Sequence, residues 1–156
     1  MSIQEAKPYC GLKDVLGKFA KFVIVYEEKI VKIRKFSEFK MEFPRASKLF
    51  ENKIQHCVKY VKCCDMGNIK ACAKYTLFFV KKNYQVADLC RHLRNSFAHV
   101  HMETDGGKLF INDVNYKKQI SSSGYLDKPL LINFLTELIK EYEESFTVSN
   151  RKRKCK

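Results

Sequence analysis

"CAKYTLFFV", residues 72–80, is the stretch on which the fold class turns. It is apolar almost all round, and a helix of that kind belongs in the middle of a bundle, because a helix that buries one stripe keeps polar residues on its other face. We therefore read residues 69–82 as a central helix. A segment that begins as a strand is the alternative, since a short apolar run without a clear period does not separate the two. "DMGN" at 65–68 closes whatever precedes it.

Working outward toward the N-terminus, Leu12, Val15, Leu16, Phe19, Phe22, Val23, Tyr26, Ile30 and Ile33 recur at three- and four-residue intervals. That spacing predicts a helix over 12–34 with one buried stripe. "EFP" interrupts it, because Pro44 pushes the residue before it out of helical geometry. A second helical region is expected over 46–63.

Toward the C-terminus, a fourth helix is expected over 84–99. "TDGG" at 104–107 is a turn signal, and "KLFINDVN" followed by "YKKQISSS" reads as a short hairpin or two irregular strands. Asp127 is placed to cap a last helix with Pro129 in its first turn and Leu130, Leu131, Phe134, Leu135, Leu138 and Ile139 on one face. The fold expected is an all-α bundle of four to five helices with a small β excursion before the last one. It forms a single domain over 1–148, followed by a basic, disordered tail at 149–156.

A chain of 156 residues is one ordinary domain and buries roughly 70% of the surface its unfolded form exposes. No apolar run approaches the ~18 residues of a membrane span, and "MSIQEAKPYCGLKDVL" lacks the basic start and apolar stretch of a secretory signal. A cytoplasmic protein without membrane contact is expected. Seven cysteines at 10, 57, 63, 64, 72, 90 and 155 suit that compartment as reduced thiols, since an odd number at irregular spacing is a poor disulfide framework. A zinc site from His56, Cys57, Cys63, Cys64 and Cys72 lacks the two short paired spacings that structural zinc sites show. Neither metal nor cofactor is expected. The 30 Lys and Arg against 17 Asp and Glu, a net charge of +13, predict attraction to a polyanion: RNA, DNA or an acidic protein. The closing "RKRKCK" adds to that charge as a solvated arm.

The fourth helix contains "LRNSFAHVH", residues 93–101. On an ideal helix Val86, Leu89, Cys90, Leu93 and Phe97 fall within about 100° of arc and form a core-facing stripe. Arg91, Asn95 and His99 follow one another at i, i+4, i+8 on the far side, and Arg94 lies on the flank. Arg94 and His99 stand about 140° apart, so a two-fold dimer with these helices near its axis is the simplest way to bring both onto one phosphate. Spacing alone is weak, because an Arg-x4-His pair arises by chance roughly 0.15 times in a chain of this composition. A histidine at a helix end is also commonly a cap.

The whole stretch says more. "LRNSFAH" on an amphipathic helix, followed by a turn and "LFINDVN", resembles the signature of the HEPN superfamily: Arg, a polar residue that is often Asn, three or more residues, then His. Arg94, Asn95 and His99 match that pattern over a resemblance covering about 70–142. Val100 stands where members often carry glycine. The resemblance implies a metal-independent endoribonuclease that works as a homodimer, of the kind found in toxin–antitoxin, abortive-infection and CRISPR systems, where an antitoxin or defence-system partner accompanies it. It assigns Arg94 to the scissile phosphate, His99 to proton transfer and Asn95 to orientation. Arg91, on the same exposed stripe, and His101, past the helix end, are read from their positions as second-rank RNA contacts. Two alternatives stay open. One is a HEPN domain that binds nucleic acid or nucleotide without cutting, and the other is a helical protein-interaction module.

Overall fold

The computed structural model describes residues 15–62, 76–99 and 101–154. Helix α1 (Leu16–Glu28) ends in a single tight turn (Ile30–Lys32), and α2 (Phe36–Glu42) and α3 (Pro44–Leu49) follow. Pro44 opens α3, where its missing N–H costs nothing. The carboxylate of the buried Glu141 accepts the backbone N–H groups of Arg45 and Ala46 at 2.8 and 3.1 Å. The chain then passes through irregular helical turns to Cys57 and straightens into β1 (Val58–Val61).

The all-α expectation is overturned at this point. Residues 77–80, read as helix, form strand β2 (Leu77–Val80), which runs parallel to β1. With β3 (Met102–Asp105), β4 (Lys108–Val114) and β5 (Ile120–Asp127) they make a five-stranded mixed sheet in the order β1-β2-β5-β4-β3. The molecule is α/β. Leu77 and Phe79 are buried while Phe78 and Val80 are half-buried, the two-residue period of a strand with its two sides in different surroundings. β1 likewise replaces the end of the helix expected over 46–63, and "VKYV" has the β-branched and aromatic residues that suit it. The part of the expected third helix over 69–75 lies outside the described residues, as do Cys10, Cys63, Cys64, Cys72 and Cys155.

The β excursion is the centre of the sheet. Gly124 sits at φ +146°, and a Cβ there would stand 2.2 Å from the carbonyl oxygen of Thr76. Only glycine lets β5 approach β2 this closely. On β4, Leu109, Ile111 and Asp113 face inward, matched on β5 by Leu126, Gly124 and Ser122. The inner face thus changes from apolar to polar along its length. Helix α4 (Gln85–Ala98) lies against it, and α1 packs beside α4 with Phe19 stacked on Phe97 at 5.2 Å.

The last helix, α5 (Lys128–Lys154), is capped by Asp127 as its sequence foretells, the carboxylate accepting the N–H of Leu130 at 2.9 Å. Its backbone stays helical through Lys154, into the segment read as a tail. Among the described residues no helix is long and apolar enough to cross a membrane.

Candidate functional site

Helix α4 sets out the site, and its buried face differs from the expected stripe. Leu89, Cys90 and Leu93 are fully buried, yet so are Asp88, His92 and Ser96, while Phe97 is only half-buried. The helix is rotated toward His92 and Ser96 because the sheet covers that side. A purely helical bundle would have left it open.

Burial of these polar groups demands partners. One oxygen of Asp88 accepts the backbone N–H groups of Lys82 and Asn83 at 3.1 and 3.0 Å and the hydroxyl of Tyr60 at 3.2 Å. The other accepts Nη2 of Arg91 at 3.3 Å. The same Nη2 stands 3.1 Å from Nε2 of His92, whose Nδ1 is 2.8 Å from Oδ2 of Asp113. A guanidinium only donates, so Nε2 of His92 accepts and its Nδ1–H donates to Asp113. Asn95 and Ser121 also donate to Oδ2 of Asp113, at 3.3 and 3.1 Å. Four charged or polar side chains therefore form one chain: Asp88, Arg91, His92, Asp113.

Burial holds His92 below the usual imidazole range and outweighs the pull of Asp113. Burial also pushes Asp113 upward, but the hydrogen bonds from His92, Asn95 and Ser121 win and leave it below the usual carboxylate range. The pair is a neutral imidazole on a carboxylate.

Above this chain lies a cleft of about 320 Å³, lined among others by Arg91, Asn95, His99, Lys82, Asn115 and Tyr116. That is the lower end of the range for small-ligand pockets. The three residues predicted at i, i+4, i+8 thus open into one space. His99 ends α4, its backbone N–H bonded to the carbonyl of Asn95 at 2.9 Å, with an exposed side chain.

Arg94 is elsewhere. Its Nε donates to Glu27 of α1 at 2.8 Å, and its Nη1 reaches Oδ1 of Asn95 at 3.3 Å. It serves the site by pinning Asn95 from behind. His101 lies past the helix end, with its N–H on the carbonyl of Ser96 at 2.7 Å and its ring 6.1 Å from that of His99. It lines a separate, shallower hollow with Glu103, Phe110 and Asn112.

Of the zinc ligands considered, His56 is exposed and Cys57 half-buried. Among the described residues no group of three or more His, Cys, Asp or Glu is placed to hold a metal ion.

His92 and Asp113 are the residues that sequence reasoning missed, although both left a signal. His92 falls three residues after Leu89 and one before Leu93, on the buried arc, and Asp113 shares the strand parity of Leu109 and Ile111. A polar residue in phase with the core on two neighbouring elements implies that the two meet.

Comparison of the chain with family models, with curated proteins and with solved structures found no match.

Proposed function

We propose that the chain is an endoribonuclease that cleaves RNA through the substrate's own 2′-hydroxyl, with its chemistry in the cleft beside α4. The observation that carries this reading is that an arginine, an asparagine and a histidine, each one turn apart, open into the same polar cleft. Such cleavage requires a base for the 2′-hydroxyl proton, an acid for the leaving 5′-oxygen and a cation on the phosphate as charge builds. Arg91 takes the phosphate. Its Nη2 is committed to Asp88 and His92, and both two-donor edges of a guanidinium include Nη2, so Nε and Nη1 each offer the phosphate a single charge-assisted donor in place of a parallel fork. His99 moves the proton at the reacting oxygens. Asn95, pinned between Arg94 and Asp113, positions substrate.

The 2′-oxygen attacks phosphorus, the bond to the 5′-oxygen breaks, and the products carry 2′,3′-cyclic phosphate and 5′-hydroxyl ends. The resemblance of "LRNSFAH" to HEPN ribonucleases points the same way and adds a cytoplasmic homodimer to the reading. A second reading, RNA binding without cleavage, draws support from the ties that commit Arg91 to the protein's own carboxylate and imidazole.

The deciding assay measures RNA cleavage in excess chelator. Arg91→Ala and His99→Ala should each lower the rate by roughly 10²-fold or more, since one positioned acid or base is worth typically 10²–10⁴. DNA, without the attacking hydroxyl, should survive. Mixing the two inactive variants should restore nothing if one chain supplies both groups, whereas recovery would assign them to a site shared between two copies. Wild-type protein that binds RNA and leaves it whole would sink the enzyme and keep the binding site.

A further inference from the structure

Tyr116 is 90% exposed, yet it lines the same cleft as Arg91, Asn95 and His99. It stands on the tight connection between β4 and β5, which the side chain of Asn115 makes stiff. Oδ1 of Asn115 accepts the backbone N–H groups of Lys117 and Gln119 at 2.9 and 3.0 Å. The backbone of Asn115 bonds those of Gln119 and Lys118, each at 2.9 Å. Lys118 is held at φ +60°, the left-handed conformation that few side chains adopt. The backbone that carries the ring is therefore already set, and a ligand that covers the ring has only the side chain's own rotation to order.

The surroundings select the ligand. Nζ of Lys117 lies 5.7 Å from the centre of the Tyr116 ring, and Lys82 and Arg91 stand along the cleft. An exposed aromatic face beside a row of cations is how proteins hold unpaired nucleotides: the base stacks and the backbone phosphate meets the positive charge.

We infer that Tyr116 is a base-stacking platform, and that the cleft takes single-stranded RNA with one base on Tyr116 and the neighbouring phosphate at Arg91. This rests on the reading of the cleft as an RNA site. A base inside a duplex is stacked on both faces already and has none to offer, so the platform favours a single strand over a duplex. Every base has a flat face, so Tyr116 selects strandedness and imposes little sequence preference.

The test uses the full chain carrying His99→Ala, which should slow cleavage enough for binding to be read, and measures fluorescence anisotropy of an end-labelled ten-nucleotide single strand and of its duplex. Tyr116→Ala should weaken single-strand binding by roughly tenfold or more, the loss of one base stack. Tyr116→Phe should stay near the parent, because the ring and not the hydroxyl is used. Unchanged thermal melting confirms that these surface variants remain folded. Should Tyr116→Ala bind the single strand as tightly as its parent while Arg91→Ala binds it poorly, the platform is wrong and the RNA site stands. Should the parent bind neither single strand nor duplex, the RNA site falls and the platform with it.

Discussion

Two arginine networks hold distant parts of this chain together, and they differ in the solvent around them. Arg45, its side chain 48% exposed, meets Glu137 at 2.8 Å and both oxygens of Glu144 at 3.0 and 3.1 Å. Arg91, its side chain 23% exposed, bridges Asp88 and His92, which are wholly buried and lead on to Asp113. Arg45 has the shorter bonds and the better fork. Water nevertheless reaches Glu144 and, in part, Glu137 whether or not the bridge forms, and the buried Glu141, 3.9 Å from Nε of Arg45, keeps the two backbone N–H groups it accepts, so little is lost when the bridge breaks. Arg91 itself borders the cleft, but its partners Asp88 and His92 are wholly buried, and a carboxylate left there without its cation is expensive. Number and length of contacts therefore mislead about importance, and burial decides.

Removing one member of the buried chain is the strongest attempt to break that contrast. Asp113→Ala should strip His92, Asn95 and Ser121 of their common acceptor and cost roughly 1–3 kcal/mol in denaturant unfolding, chiefly because the buried Nδ1–H of His92 is left without a partner. A loss under about 1 kcal/mol would show that water reaches the pair and that the two networks are alike.

Acid should expose the same difference more gently. An unfolded histidine takes up a proton near pH 6.5, whereas His92 is held lower by burial. The unfolded state thus binds the extra proton first, so the stability contributed by His92 is full above about pH 6.5 and falls as pH drops through that value. The slope reaches at most about 1.4 kcal/mol per pH unit for this one proton. Asp113, held below the usual carboxylate range, adds a second loss as pH falls below about 4. Unfolding measured across pH 5–7 should flatten in His92→Gln; an unchanged slope would move the titration to another group.

The smallest effect belongs to Arg45→Ala. Its change in melting temperature should be slight and should vanish near 1 M salt, where screening acts within about 3 Å. A large, salt-independent loss would mean that the N–H groups donated to buried Glu141 by Arg45 and Ala46 are disturbed as well, and would blur the comparison.

How much of this was legible in advance follows the range of each interaction. The sequence by itself determined α4, expected over 84–99 and found at Gln85–Ala98, because helical period and a short connection are local. It determined the Asp127 cap and the alignment of Arg91, Asn95 and His99 along one helix face, which follows from 100° per residue alone. Arg94 went to Glu27, 67 positions away, and His92 to Asp113, 21 positions away, and no periodicity within α4 names either partner. The strand at 77–80 was decided in the same way, by pairing with β1 on one side and β5 on the other. An apolar run commits to strand or helix according to what comes to lie beside it, and here Gly124, without a side chain, let β5 take that place.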